Sequence, residues 1–406
     1  MKVCFFNRSY WPDVAATGQL LTELAEDLVA RFGWDVTVVA GRPLRGGTGR
    51  PGLAAFGREE RHGVRIFRAN GTTRPPARFA GRVTNYLSYF ASACLAGLRV
   101  PSPDVVVALT DPPIIGLAAL TMARLRGAKF VFLCEDVFPE VAVLLEDFRS
   151  GAVNRLLDRL NRLLLARADA IVALGERMKR RLVEEKGARP DRITVIHNWA
   201  DCQAIEPRPK SAAFAAAHGL EGRFIVMHSG NVGLSQALDT LLDAAALLRD
   251  TPEAMVVIVG DGTKRAALEA RAAREGLSNV RFLPYQPKEQ LADSFSAADL
   301  FLVSLKAGLE GYIVPSKLYG ILAAGRPFIA AVDPSCEVAV IARADDCGVA
   351  VAPQDPAALA DAIRALARDP ARVARLGANA RRAGLRFDRR VAVQAYADLF
   401  RTLGQE

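Results

Sequence analysis

A hydroxyl and a cation stand side by side in the second half of the chain. Ser316 and Lys317 directly follow Pro315, behind a buried strand predicted at 300–303 and at the start of a helix predicted over 316–324. The first turn of a helix has unpaired N–H groups that favour anions, and a hydroxyl and a point charge add the donors that a diphosphate needs. A surface lysine is usually only solvated, but this position favours a phosphate-binding role for Lys317.

Two glycine-rich turns follow two other predicted strands of the same half. The turn at 230–233 follows the strand at 224–228, and the turn at 260–262 follows the strand at 255–259. Glycine lets a ligand approach the backbone, and the helix after each turn favours negative charge. Either turn alone is equally typical of a plain strand-to-helix connection, but two on one sheet favour a phosphate cradle. A dinucleotide fingerprint is not expected, because Arg265 stands where its last glycine would be.

Polar residues also follow strands in the first half. Asp111 and Asp136 each come shortly after a predicted strand, where a carboxylate could orient an acceptor or a donor sugar. An aspartate in that place commonly caps a turn or a helix instead, so both interpretations stay open. The same holds for His228, which could be a functional ring or a hydrogen-bonded histidine at the end of a strand.

These side chains depend on the elements that carry them. Each half contains six short apolar runs typical of buried strands, alternating with longer helical patterns, which predicts two α/β domains with doubly wound parallel sheets. Residues 197–222 between them have a linker composition. We expect domains at 1–200 and 201–385 and a last helix within 386–406. Ligands of such sheets bind at the carboxyl ends of the strands, so a cleft between the domains is the expected active site.

The 406 residues have an ordinary globular composition, with 51% hydrophobic and 24% charged residues. The six cysteines contain no CxxC pair and the four histidines are scattered, so neither a disulfide framework nor a metal site is expected, and a reducing cytosol fits. The first residues are typical of a buried strand rather than of a signal peptide. The longest uncharged stretch, 83–98, is too short and too polar to span a bilayer, which takes ~20 apolar residues, but it could lie on one.

The net charge of +9 is carried by one half. Residues 1–200 hold 29 Lys and Arg against 20 Asp and Glu, whereas residues 201–406 hold 24 of each, and such asymmetry indicates an anionic partner. Basic residues beside the apolar stretch favour a peripheral surface for anionic lipid headgroups. The acceptor-side or membrane-facing candidates are Arg74, Arg78, Arg82, Tyr86 and Arg99. By contrast, the leucines and arginines of 153–167 predict an amphipathic core helix with a solvated basic face.

Several motifs resemble those of glycosyltransferase family 4. In the second half they are Gly-Asn-x-Gly at 230–233, Gly-Asp-Gly at 260–262, Leu-Pro-Tyr at 283–285 and the string PSKLYGILAAGRP at 315–327. The match looks closest to the bacterial WbuB-like branch of O-antigen and exopolysaccharide synthesis. The first half agrees through weaker motifs, which are YWP at 10–12 with Thr17-Gly18, DVFP at 136–139 and HNW at 197–199.

The resemblance covers essentially the whole chain and implies a GT-B fold whose last helix packs back on the first domain. It implies a retaining glycosyltransferase that needs no metal or other cofactor. The enzyme would move a hexosyl or N-acetylhexosaminyl group from a nucleotide sugar, in most relatives a UDP-sugar. The acceptor would be a glycan or a polyprenyl-diphosphate-linked sugar of cell-surface polysaccharide synthesis, met by the first domain at the cytoplasmic face of the inner membrane, with no nucleic-acid partner.

The resemblance also transfers site residues to this sequence. Donor-binding candidates are Gly18, Gly230, Asn231, Gly233, Gly260, Gly262, Tyr285 near the nucleobase, Pro315, Ser316, Lys317 and Leu318. Catalytic candidates are Asp136, Glu310 and Lys317.

The chain departs from the family pattern of two glutamates eight positions apart. Tyr312 and Gly320 occupy those places, and the nearest carboxylate is Glu310, so the ribose that the second glutamate usually binds must be held differently. The basic residues usual beside the 230–233 loop are also missing, which leaves the diphosphate charge to Lys317 and to the amides of that loop.

Three alternatives stay open. An inactive or regulatory homologue would fit these departures. A GT-B-fold sugar-nucleotide epimerase would need acidic catalytic residues that the motifs do not supply. The pI near 9.4 by itself would fit a nucleic-acid-binding protein, but no aromatic-rich basic module supports one.

Overall fold

The computed structural model describes residues 1–13, 15–43, 56–72, 79–145 and 150–405. Contacts divide the chain into two compact units. The N-terminal unit comprises Met1–His197 together with Ala392–Glu406, and the C-terminal unit comprises Asn198–Val391. The predicted boundaries lie at 200 and 385.

The N-terminal unit is built on an eight-stranded sheet in the described part of the chain. The strands are β1 (Lys2–Phe6), β2 (Asp35–Ala40), β3 (Phe56–Arg61), β4 (Val64–Ala69), β5 (Val105–Ala108), β6 (Lys129–Cys134), β7 (Ala170–Ala173) and β8 (Ile193–Val195). Their order is β3-β4-β2-β1-β5-β6-β7-β8. Strands β2 to β4 lie on one side of β1, and strands β5 to β8 lie on the other side. The residues after β1 and β5 therefore lie at the switch point, where doubly wound sheets hold ligands.

The β3–β4 hairpin is absent from the prediction, and the expectation of an entirely parallel sheet is wrong at this edge. β3 pairs antiparallel with β4. Both residues of the turn, His62 and Gly63, have positive φ (46° and 79°), which matches the twist of antiparallel strands. Four of the six residues of β3 are charged, from Arg58 to Arg61, so the apolar pattern does not reveal the strand.

Helices connect the strands of this unit. They are α1 (Ala16–Phe32), α2 (Phe79–Gly97), α3 (Ile115–Arg126), α4 (Glu140–Leu144), α5 (Gly151–Arg167) and α6 (Glu176–Glu184), with a 3-10 turn at Pro190–Arg192. β1 and β5 are almost entirely buried, as parallel strands covered on both faces are. α3 packs between α2 and α5, so these three helices form one layer, called here the α2–α3–α5 layer.

The C-terminal unit has a six-stranded, entirely parallel sheet. Its strands are β9 (Phe224–Ser229), β10 (Ala254–Val259), β11 (Val280–Leu283), β12 (Leu300–Ser304), β13 (Phe328–Ala331) and β14 (Gly348–Val351). The strand order is β11-β10-β9-β12-β13-β14. β10 and β11 therefore lie on one side of β9 and β12 to β14 on the other, which puts the switch point between β9 and β12. Residues after these strands therefore lie at the ligand-binding edge of this sheet.

The helices of this unit include three that the sequence analysis does not predict, namely α7, α12 and α14. The set is α7 (Ala212–Ala217), α8 (Asp239–Leu247), α9 (Arg265–Arg274), α10 (Leu291–Ala297), α11 (Lys317–Ala323), α12 (Glu337–Ala344), α13 (Pro356–Ala367) and α14 (Pro370–Gly384), with 3-10 turns at Lys288–Gln290 and Leu385–Phe387. α7 lies inside the predicted linker, where the Ser211 hydroxyl caps it by accepting from Phe214 N at 3.2 Å.

The last helix, α15 (Arg389–Gln405), packs on the N-terminal unit from Ala392 onward. Its Phe400 ring is buried and lies 6.3 Å from the centroids of both Phe5 and Trp34. Arg401 covers the Trp34 ring at 5.6 Å. The expected return of the last helix to the first domain is therefore confirmed.

Candidate functional site

Three segments lie together at the carboxyl ends of β9, β10 and β12. The amide of Lys264, after β10, donates to the carbonyl of Val232, after β9, at 3.0 Å. The amide of Lys306, after β12, donates to the carbonyl of Ser235 at 2.7 Å. The two glycine turns and the segment that leads to Lys317 thus form one continuous surface in the C-terminal unit.

The two glycine turns touch through their backbones. Gly260 has φ = 140°, and a Cβ atom built on it would overlap the carbonyl oxygen of Gly230. A Cβ on Gly262 would likewise lie only 2.6 Å from the carbonyl carbon of Val232. Only glycine fits at these two positions, so the spacing that predicts a ligand cradle also has a purely structural cause.

Arg265 has its own role beside these turns. Its guanidinium donates to the carbonyls of Gly260 and Leu283, the latter at 2.7 Å, and so joins the ends of β10 and β11. The residue that removes the dinucleotide fingerprint therefore stabilises the loop from within.

Most of the loop amides are already used. Three of them donate inside the unit: Gly230 N to Val259 O (2.9 Å), Val232 N to Asp261 O (2.9 Å) and Gly233 N to Gln236 Oε1 (3.0 Å). The amides of Gly230 and Gly233 themselves therefore have partners within the unit, and a diphosphate-binding role for the amides near them stays a prediction. Side chains must therefore supply the donors that these three amides do not.

Lys317 is the cation at this surface. Its Nζ lies 3.2 Å from Nε2 and 3.4 Å from Nδ1 of His228, and Gly230 has its Cα so close that a Cβ there would touch Nζ at 3.7 Å. Among the described residues no carboxylate lies within ion-pair distance of Lys317. Burial lowers the pKa of Lys317 from 10.5 to about 7. An anion placed there would become the counter-ion of a lysine that otherwise has none.

His228 lies under Lys317 and is completely buried. Nε2 lies 3.2 Å from the carbonyl oxygen of Asn231. Because a carbonyl only accepts, Nε2 carries the proton and donates it. Burial and then the charge of Lys317 lower the pKa of His228 well below its usual value, so the ring is neutral. The alternative that His228 is a hydrogen-bonded histidine at a strand end is correct, but its partner is a loop of the candidate site.

The other candidates of this unit differ in exposure. Ser316 and Pro315 are partly exposed beside Lys317, and the Ser316 hydroxyl makes no cap bond to α11. Leu318 is fully buried, so its side chain belongs to the core. Glu310 is 8% exposed, and Tyr285 is 40% exposed after β11. Ser316 is therefore the hydroxyl donor available next to the Lys317 ammonium.

A second polar cluster lies at the switch point of the N-terminal sheet. Arg8 follows β1, and its guanidinium lies 3.2 Å from the Asp111 carboxylate, which follows β5. The guanidinium also covers the Tyr86 ring at 5.2 Å. Sequence reasoning missed Arg8, although the rule that selects Asp111, a polar residue directly after a strand, selects Arg8 as well.

Asp136 follows β6 in the same unit. Burial, and secondarily the charge of Asp111, raise the pKa of Asp136 from 3.8 to about 7. Its amide donates to the hydroxyl oxygen of Thr110 at 3.2 Å, which fixes the segment. A carboxyl group that is half protonated near neutral pH can exchange protons with a substrate hydroxyl.

In the ranges that the structure covers, no group of three or more His, Cys, Asp or Glu side chains could hold a metal ion. No helix in those ranges is long and apolar enough to cross a membrane.

Two family models match the chain. The model described as glycosyl transferase 4-like domain matches residues 16–199, and that described as glycosyl transferases group 1 matches residues 211–383. The chain belongs to glycosyltransferase family 4. The family part of the sequence prediction is thereby confirmed, whereas the WbuB-like branch stays a prediction.

Two named glycosyltransferases are similar to this family 4 glycosyltransferase in sequence, and a solved structure is similar to it in fold. A probable glycosyltransferase, WbjE of Pseudomonas aeruginosa, is 30% identical over 64% of this chain and 66% of that protein. A provisionally named colanic acid biosynthesis glycosyl transferase, WcaI of Escherichia coli K12, is 26% identical over 80% and 82%. HepE of Anabaena, solved with UDP-glucose, superposes with a TM-score of 0.75 at 19% identity over 99% of this chain and 100% of that one. The predicted GT-B fold is confirmed.

The structure shows what surrounds Tyr312 and Gly320, the two positions where this family 4 glycosyltransferase departs from the two-glutamate pattern. A Cβ on Gly320 would lie 3.2 Å from the Phe295 ring, so that ring borders the place where the second glutamate side chain would begin. Tyr312 is 9% exposed, and Glu310, two residues before it, is 8% exposed. Nothing in the described residues replaces the second glutamate at its own position.

The remaining candidates of the family 4 glycosyltransferase fall in the N-terminal unit or outside the described residues. Gly18 lies in the first turn of α1, where a Cβ would be 3.3 Å from the backbone of Ser9 and Tyr10. It is therefore in a different unit from the other donor candidates. Arg99 is exposed and donates to the Leu95 carbonyl at 3.3 Å. Arg74, Arg78 and the side chain of Arg82 lie outside the described residues.

Proposed function

We propose that this protein transfers a sugar from a UDP-sugar, with retention of the anomeric configuration and without a metal, to a glycan or polyprenyl-diphosphate-linked acceptor of a cell-surface polysaccharide. The observation that carries the proposal is Lys317, a partly buried ammonium with no carboxylate partner among the described residues, at the switch point of the C-terminal sheet. A diphosphate fits such a position because it supplies the missing charge.

Two similar proteins favour the proposed donor and the proposed product. The solved HepE contains UDP-glucose and shares the fold, which favours UDP as the donor nucleotide. The name of WcaI refers to colanic acid biosynthesis, which favours a cell-surface polysaccharide as the product.

Transfer breaks the bond between the sugar and the diphosphate, so negative charge grows on the leaving group. Lys317 and the Ser316 hydroxyl are preorganised to stabilise that charge, and donors of this kind lower the barrier only where charge develops. Retention follows if the acceptor attacks from the face of the leaving group, with a diphosphate oxygen taking its proton. In the N-terminal unit we assign Asp136 and Arg8 to holding the acceptor.

The α2–α3–α5 layer supports a membrane-associated acceptor. Its outer side exposes large apolar side chains: Leu87 (56%), Leu95 (52%), Leu98 (55%), Leu125 (66%), Leu156 (56%) and Leu163 (40%). Exposed arginines lie among them: Arg99, Arg124, Arg126, Arg155, Arg159, Arg162 and Arg167. The interpretation of α5 as a core helix thus holds for one stripe only, because Leu164 and Leu165 are buried. Exposed apolar side chains together with exposed arginines in the same segments fit an anionic bilayer surface.

Liposome binding tests that surface. Each arginine near an anionic surface contributes about 1 kcal/mol, so changing Arg124, Arg155 and Arg159 to Gln weakens binding to phosphatidylglycerol vesicles about a hundredfold at low salt. The matched control changes three exposed arginines of the C-terminal unit, Arg274, Arg368 and Arg372, and leaves binding unchanged. Equal effects of both sets, or no binding by the unaltered protein, would reject the membrane surface.

A thermal-shift panel tests the donor. The unaltered protein is melted with UDP-, GDP-, ADP- and dTDP-sugars, and we expect UDP-sugars to raise Tm. Lys317→Ala abolishes the rise, whereas Lys210→Ala, which removes a lysine paired with Asp299 before β12, retains it. If no nucleotide sugar changes Tm, the proposed function is wrong.

A further inference from the structure

His228 connects the two parts of the candidate donor site. It lies at the end of β9, next to the turn at 230–233, and it is completely buried. One ring nitrogen donates to the Asn231 carbonyl in that turn at 3.2 Å. The same ring contacts the ammonium of Lys317, which begins α11. Two segments far apart in the chain are therefore held by one imidazole.

The contact between Lys317 and His228 has an unusual geometry. Nζ is nearly equidistant from the two ring nitrogens, at 3.2 and 3.4 Å. The Nε2 hydrogen points to Asn231, and the lone pair of Nδ1 lies in the plane of the ring. An ammonium equidistant from both nitrogens therefore lies over the face of the ring, which attracts a cation without neutralising it.

The charged groups around Lys317 do not include a contacting carboxylate among the described residues. From β9, the titratable group that faces Lys317 is His228, whose ring is held by the carbonyl of Asn231 in the adjoining turn. From α14, Arg381 binds the carbonyl of Ala323 at the opposite end of α11. Within the described ranges none of the groups in contact with Lys317 is a carboxylate, and burial accounts for its lowered pKa, so an anionic ligand would supply the contacting counter-ion.

We propose that His228 is a positioning residue that seats the Lys317 ammonium over Gly230 and fixes the adjoining turn, so that the diphosphate of the donor becomes the counter-ion. This inference rests on the proposed function, since it assumes a diphosphate at Lys317. A carboxylate in place of His228 would compete with that diphosphate, and a small apolar residue would let the ammonium move away.

Binding of the donor should then be linked to a proton. Lys317 with a pKa of about 7 is half neutral in the free protein at that pH and becomes charged beside a diphosphate, which therefore draws a proton from solution. The diphosphate of a UDP-sugar has no group that titrates between pH 6 and 8. For this pKa, affinity falls about tenfold from pH 6 to pH 8.

Calorimetric titration with UDP-glucose at pH 6 and pH 8 tests the inference. His228→Gln keeps an N–H that can reach the Asn231 carbonyl but removes the ring, and His228→Phe keeps a ring face but removes the N–H. At pH 6 we expect His228→Gln to bind about tenfold more weakly, the loss of one misplaced charge-assisted hydrogen bond. Its affinity changes less than twofold up to pH 8, because the ammonium is no longer held in the buried position. Lys317→Arg, charged at every pH, also loses the pH dependence.

Two controls separate the possible outcomes. Folding of each variant is checked by its thermal midpoint. In the unaltered protein, the pH dependence of Lys317 acetylation by acetic anhydride, and its suppression by UDP-glucose, is measured by peptide mass spectrometry and needs no substitution. If binding requires Lys317 but both His228 variants keep the affinity and the pH profile of the unaltered protein, the inference alone is overturned. Failure of the unaltered protein to bind UDP-glucose overturns the proposed function and the inference with it.

Discussion

Replacing Lys317 by Met should stabilise the ligand-free protein. In the folded state burial lowers the pKa of Lys317 from 10.5 to about 7, whereas in the unfolded chain it keeps its ordinary value. At 1.36 kcal/mol per pKa unit, holding the group charged below pH 7 costs about 5 kcal/mol. Since the side chain is partly exposed, solvent screens part of this cost, and about 2 kcal/mol is the working expectation at pH 6.

The sign of the pH dependence follows from proton binding. Between pH 7 and pH 10 the unfolded chain holds a proton on Lys317 that the folded protein lacks, so the stability of the unaltered protein rises with pH through this group. Met has no such proton. The advantage of Lys317→Met over the unaltered protein should therefore fall from about 2 kcal/mol at pH 6 to less than about 1 kcal/mol at pH 9.

Urea denaturation at the two pH values measures the difference. Comparing variant and unaltered protein at each pH removes the contribution of every titrating group whose pKa does not depend on Lys317; His228, whose pKa does, is neutral at both pH values. The control is Lys210→Met, which removes a lysine that is ion-paired with Asp299 and so should not stabilise the protein. A Lys317→Met protein that is no more stable at pH 6, or equally stabilised at pH 6 and pH 9, would refute the reasoning.

Three further predictions use the same structure. Gly260→Ala forces a Cβ into the Gly230 carbonyl and should cost more than about 3 kcal/mol in urea denaturation, whereas Gly276→Ala, at positive φ but in open space, should cost about 1 kcal/mol. Asp136→Asn should weaken acceptor binding and remove the gain in acceptor affinity expected as the Asp136 carboxyl, with a pKa of about 7, loses its proton; an unchanged pH dependence of the acceptor KM would contradict its assignment to holding the acceptor. Phe400→Ala should destabilise the N-terminal unit by about 3 kcal/mol or more, measured by denaturation and by faster proteolysis of that unit, because its ring packs on Phe5.

The strands were the part of the fold most accessible from the sequence. All twelve predicted strands are strands in the structure, because a parallel strand buried on both faces must be a short continuous apolar run. β3 was not predicted because most of its residues are charged. α14 was not predicted because its many arginines obscure a narrow apolar stripe. Neither element carries the pattern that burial on both sides produces.

Among the site residues, local pattern was sufficient for Lys317 and Asp136, which directly follow strands or open a helix. It was not sufficient to show which loop amides are already hydrogen-bonded. The glycines at 230–233 and 260–262 mark a tight contact between two loops, and their N–H groups are used there. A glycine-rich turn has the same spacing whether a ligand or another backbone approaches it.

The sequence by itself determined two α/β halves, the family, and the segments that end at the switch point of each sheet. Only the tertiary structure decided which side chains meet there. Lys317 and His228 are 89 positions apart, and Arg8 and Asp111 are 103 apart. No local periodicity encodes such contacts, since they arise from the order in which parallel strands pair. Burial, which sets the protonation of Lys317, His228 and Asp136, is likewise a property of packing and not of residue type.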